Sequence, residues 1–168
     1  MTATRSTLGL GLGLAALVLV LDQASKWWMV YHVMNPPKVI EVAPFFNIVM
    51  AWNKGVSFGM FSSESPWNAW VLSGIAVTVS IALTVWLARN KDRMIGMSLG
   101  VIIGGAIGNA IDRFHWGAVA DFLDFHAMGY HWPAFNVADM AITLGAALLI
   151  FDSLFSGENS PKKDSSKV

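Results

Sequence analysis

Apolar runs of near bilayer-crossing length alternate with short polar stretches along this chain. The first runs from about Leu8 to Tyr31, and its core LGLGLGLAALVLVL carries no charge before Asp22. The second covers about Trp67 to Ala88, the third about Met94 to Phe114 and the fourth about Pro133 to Phe155. Roughly 20 apolar residues suffice for a helix to cross hydrocarbon. In lipid only a helix or a closed barrel satisfies its own backbone, and so few spans cannot close a barrel. The pattern therefore predicts transmembrane helices at about 8–31, 67–88, 94–114 and 133–155. Asn35, Pro36 and Pro37 end the first of them. The following KVIEV and FFNIVMAWN are rich in β-branched and aromatic residues and predict short strands. Phe58 to Phe61 stays apolar and is expected to lie on the membrane surface. The expected architecture is an all-α integral membrane protein, a four-helix bundle with a small platform over 32–66. Residues 1–156 form one membrane-embedded domain on this reading. The polar remainder, 157–168, has too few apolar residues to fold and is expected to be a disordered tail.

Composition agrees with a bilayer setting. Of 168 residues, 55% are hydrophobic and 13% charged, with a mean hydropathy of +0.53. Eight tryptophans and two tyrosines suit the aromatic belts at membrane surfaces. Net charge is zero, which leaves no basic footprint for nucleic acid. The absence of cysteine excludes disulfides, thiol nucleophiles and Cys-based zinc sites. Arg5 before an apolar run resembles a secretory leader, but DQASKWW follows where a small-residue cleavage site would stand. The first helix is therefore expected to be retained.

Charge also orients the bundle. Arg5, then Arg89, Lys91 and Arg93, then Lys162, Lys163 and Lys167 fall on one side of an even-numbered bundle. By the positive-inside rule that side is the cytoplasm, and both termini face it. The outer end then collects the unusual polar residues. Asp22 and Lys26 lie late in helix one, Asn109, Asp112 and Arg113 late in helix three, and Asn136 and Asp139 early in helix four. Asn53 and Lys54 lie in the outer loop.

Acids beside lipid are costly and tend to be functional. Asp22 and Lys26, four apart with the acid first, read as a structural ion pair. Asn109, Asp112 and Arg113 share one helix face, and Arg113 is expected to occupy Asp112. Asn136 and Asp139 share a face as well. A helix-start pair would explain them, but a helix from Pro133 puts Asp139 about 9 Å inside, so function is favoured. His32, His115, His126 and His131 have no metal-ligand spacing, and no metal is expected. GGAIG lacks the preceding strand of a phosphate loop, and no serine sits in a GxSxG turn. Paired aspartates remain. Two carboxylates sharing a site keep one proton between them, so one activates water while the other polarises a carbonyl. Asp139 is one member, and spacing leaves Asp112, Asp121 and Asp124 as partners.

At these residues the chain resembles the lipoprotein signal peptidases, the type II signal peptidases of bacteria. The resemblance runs through DQASKWW, NKGVSFGM with Asn53 and Gly55, IIGGAIGNAIDR with Gly108, Asn109, Asp112 and Arg113, GAVADFLDF and FNVADMAI. It implies that Asp121 and Asp139 form a catalytic dyad and that Asp124 is supporting. Asn53, Asn109, Arg113 and Asn136 would line the site and position substrate. The implied fold adds an extracytoplasmic β-cradle and a surface helix. The implied substrate is a prolipoprotein carrying diacylglycerol on its lipobox cysteine, cut just before that cysteine. No cofactor is expected, and the partners are lipidated substrates and membrane lipids around a monomer. The expected setting is the bacterial inner membrane, with the site near its outer face. A small proton- or ion-conducting transporter is the alternative, but its polar groups should continue to the midplane. Here they stop near one face, and helix two offers only Ser73, Thr78, Ser80 and Thr84.

Overall fold

The computed structural model describes residues 2–55, 65 and 67–156. Among the described residues, four helices are long and apolar enough to cross a membrane. They are α1 (Thr2–Trp28, prolonged by a π turn over Met29–Val33), α2 (Trp67–Arg89), α3 (Arg93–Trp116) and α4 (Val137–Ser156). The remaining elements are the strands β1 (Ile40–Ala43), β2 (Phe46–Asn53), β3 (Val119–Ala127) and β4 (Tyr130–His131). They form an antiparallel sheet in the order β1-β2-β3-β4. Both chain segments that supply strands leave the same end of the bundle. The apolar stretch around Phe58 to Phe61 lies outside the described residues, as do 157–168.

Helix α3 is the centre and packs against each of the other three. More than half of its span is buried, against about a fifth of theirs. Its sequence explains this. Gly96, Gly100, Gly104 and Gly108 recur every fourth residue and make one smooth stripe. Helix α1 lies in that stripe, parallel to α3. A Cβ at Gly104 would stand 2.5 Å from the Ala15 carbonyl oxygen, and one at Gly108 would strike the Asp22 carboxylate. Gly105 and Gly145 do the same for α4, against Ala138 and against Ser98 and Ile102. The Asp92 side chain starts α3 by accepting from the Met94 and Ile95 amides. Gly117, at φ 74°, ends it. The chain then turns directly into β3.

One element was not anticipated and one expectation is corrected. The segment after α3 contains β3, which pairs along β2 from Phe46–Phe125 to Asn53–Val119. Helix four begins at Val137 rather than Pro133, because Phe135 is tied to β3: its amide donates to Leu123 O and its carbonyl accepts from Phe122 and Leu123.

Candidate active site

The late start of α4 changes the meaning of Asp139. It occupies the first turn instead of sitting deep in the span. Asn136 is its cap partner. The Asp139 amide donates to Asn136 Oδ1 at 3.0 Å, and the Asn136 amide donates to Asp139 Oδ2 at 3.3 Å. This reciprocal pair is a capping box built from Asn and Asp. This is the geometry of the helix-start reading, and the depth that argued against it is absent.

The same Asn136 reaches the other acid. Its Nδ2 donates to Asp121 Oδ1 at 2.6 Å and to Asn109 Oδ1 at 3.3 Å. Asn53 Nδ2, from the end of β2, donates to Asp121 Oδ2 at 3.1 Å. Asn109 Nδ2, from α3, donates to Asp139 Oδ1 at 2.8 Å. Two carboxylates from β3 and α4 thus face each other across three asparagine amides. Asparagine suits this work because it donates to a carboxylate without adding charge. Burial pushes the Asp121 carboxyl up to about 7, and the negative charge of Asp139 adds to the rise. Asp121 therefore holds a proton near neutral pH while its neighbour competes for it.

Asp124 is three residues along the strand from Asp121 and so points to the opposite face. It accepts from Asn47 at 3.3 Å and pairs with His131 at 2.9 Å. Of the acids that spacing left open, Asp121 is the one that shares a partner, Asn136, with Asp139. The expected Asp112–Arg113 pairing is corrected. The Asp112 carboxylate binds Lys26 at 2.8 Å and accepts from Gln23 at 2.9 Å. Arg113 turns the other way, donating to Gly55 O at 2.6 Å and Asn109 O at 3.2 Å. Neighbours on one helix diverge by about 100°, so an adjacent acid and base do not meet across the helix surface. Asp22 and Lys26 do pair, at 2.9 Å. Gln23 was not anticipated; its only signal is its place inside DQASKWW.

A cavity of about 830 Å³ opens at the two aspartates. Asn53, Trp52, Lys54, Trp132 and Phe135 wall its upper part. Met140, Thr143, Leu144 and Ala147 continue it down one face of α4. That stripe covers about 12 Å of helix, and Met140 and Leu144 are exposed along it. Asn109, Asn136 and Arg113 lie behind the wall and hold the groups that form it. Gly55 links the two sets: its amide donates to Asn53 Oδ1 at 2.9 Å while its carbonyl takes Arg113.

Comparison with known proteins places the chain. The family described as Signal peptidase (SPase) II matches residues 14–155. The lipoprotein signal peptidase of Methylobacterium sp. (strain 4-46) is 45% identical over 148 residues, 88% of this chain and 90% of the relative. That of Methylorubrum extorquens (strain PA1) is 44% identical over 98% of this chain and 94% of its own length. A solved structure described as a bacterial membrane enzyme at 2.3 Å resolution superposes with a TM-score of 0.81 at 30% identity. It covers 93% of this chain and 94% of the other.

Proposed function

The chain belongs to the signal peptidase II family, and from that premise we propose that it is an aspartic endopeptidase working at the outer face of the membrane. It is a multi-pass membrane peptidase that removes signal peptides from lipoproteins. The finer reading names Asp121 and Asp139 as the dyad. One observation carries it: carboxylates from β3 and α4, both lining the cavity, share one partner behind its wall, Asn136.

The chemistry follows from two acids that share a proton. The ionised member takes a proton from a water, whose oxygen attacks the scissile carbonyl carbon. The protonated member donates to the carbonyl oxygen as it becomes an oxyanion. Collapse of the tetrahedral intermediate breaks the C–N bond, and the proton taken from water passes to the leaving amine. The three asparagines hold both carboxylates in place through the exchange.

The substrate is a prolipoprotein with diacylglycerol on its lipobox cysteine, cut before that cysteine. The shape of the cavity supports this. Its polar mouth holds the dyad, and its apolar stripe along α4 opens sideways, so acyl chains stay in lipid while the peptide bond reaches water. Asn53 and Gly55 meet the substrate backbone, and Arg113 anchors the Gly55 carbonyl behind them. The sheet acts as the cradle. Residues 1–156 act as one peptidase domain and 157–168 as a cytoplasmic tail, monomeric, in the inner membrane.

The test is direct. The purified protein is given a lipidated prolipoprotein, and loss of the signal peptide is followed by gel shift. Asp121→Asn and Asp139→Asn each abolish cleavage while remaining folded, and Asp124→Asn keeps activity. Full cleavage by either of the first two sinks the dyad. A chelator leaves the rate unchanged; strong inhibition would return attention to the histidines.

A further inference from the structure

Lys26 is fully buried between α1, α3 and α4, in a region where an apolar side chain would pack at lower desolvation cost. An ammonium has three donors and no acceptor. All three are used: on Asp22 Oδ2 at 2.9 Å, on Asp112 Oδ2 at 2.8 Å and on Asn109 Oδ1 at 2.9 Å. Each of those partners in turn holds a part of the dyad. Asp22 Oδ1 accepts the amide of Ala138, the residue before Asp139, at 2.9 Å. Asp112 Oδ2 accepts the amide of Ala120, the residue before Asp121, at 3.2 Å. Asn109 donates to the Asp139 carboxylate itself.

Lys26, together with the Asn136 amide, also fixes which way the Asn109 amide faces. With an obligate donor at Oδ1, the amide group must turn its NH2 toward Asp139. A reversed amide would set NH2 against the ammonium and its oxygen against a carboxylate, and lose both contacts.

We propose that Lys26 is a positioning residue of the peptidase: one ammonium, through Asp22, Asp112 and Asn109, sets the placement of both dyad carboxylates. It touches neither carboxylate and no substrate. The proposal rests on the dyad reading above, and the experiment separates the two.

Lys26→Met removes the ammonium, and Lys26→Met/Asp112→Asn removes it while leaving the net charge of the cluster unchanged. Each is purified beside wild type and Asp139→Asn, checked for folding by thermal melting, and assayed for kcat and KM on a lipidated prolipoprotein. The expected result is a folded protein whose kcat falls about 100-fold while KM changes by less than about threefold. A merely structural loss would lower the melting temperature without splitting kcat from KM. A folded variant with kcat within about threefold of wild type overturns the proposal, as does a loss confined to KM. Failure of both variants to fold overturns it too, since Lys26 would then specify the fold and not the dyad. If Asp139→Asn still cleaves, the dyad reading falls by itself.

Discussion

Asp121 and Asp124 sit three residues apart on one strand, yet only Asp121 shares a site with another acid. Its burial and the charge of Asp139 place its titration at about 7, well above an ordinary carboxylate. Two outcomes follow. If the shared proton is needed to polarise the carbonyl, kcat/KM falls as pH rises past about 7, with an apparent pKa that belongs to the pair. A pH–rate profile checks this, and Asp124→Asn leaves that limb in place. Stability moves in the same window. An acid whose folded pKa is raised keeps its proton when the unfolded chain has lost it, so the native state loses stability as pH rises from about 4 to about 7. Asparagine cannot ionise. The melting temperature of Asp121→Asn relative to wild type therefore shifts in the variant's favour between about pH 5 and pH 8. A pH-independent difference would mean that Asp121 titrates normally. The residue types at this site were legible in the sequence, because acids and amides stand out against 55% hydrophobic residues. Their pairings were not. Asp112 stands next to Arg113 in sequence, but helical geometry turns it to Lys26, 86 residues earlier in the chain, which only the packing of α1 on α3 reveals.

Among the elements, helices were far easier to read than strands. A span of about 20 apolar residues announces itself, whereas Val119–Ala127 carries its polar residues at Asp121, Asp124 and His126, spaced three and two apart, which blurs a period of two. The start of α4 was displaced because Phe135 pairs with Leu123, a contact between segments that local propensity does not encode. The junctions make testable claims. Asn136→Ala removes the capping box and costs α4 about 1 kcal/mol, and it also frees both carboxylates, so activity falls further than stability. Glycines separate by neighbour. Gly104→Ala forces a methyl against the Ala15 carbonyl; overpacking of this kind destabilises by about 1–3 kcal/mol, and the melting temperature falls. Gly13→Ala meets nothing within 4 Å and leaves it unchanged or raises it. Equal effects at the two positions would contradict the parallel α1–α3 seam.

For the whole molecule the question is which face of the membrane carries Asp121 and Asp139. The sheet and the cavity mouth sit at one end of the bundle, with Trp27, Trp52, Trp70 and Trp116 near that end in ring contacts with Tyr31, His115 and Phe114. The opposite end carries Arg89, Lys91 and Arg93 between α2 and α3. The structure sharpens the charge asymmetry. Lys26 and Arg113, which sequence alone counts on the outer side, are buried and engaged inside the bundle. Lys38 and Lys54 are exposed at the end that carries the sheet. Positive charge near the helix ends then favours the α2–α3 loop as cytoplasmic. A chain with no cysteine makes this easy to read. Met128 is fully exposed at the tip between β3 and β4, and Lys91 is exposed in the α2–α3 loop. In intact cells, Met128→Cys takes up a membrane-impermeant maleimide once the reagent has reached the outer face of the membrane. Lys91→Cys takes it up only after the membrane is opened. The reverse labelling would put Asp121 and Asp139 on the cytoplasmic side and overturn the orientation.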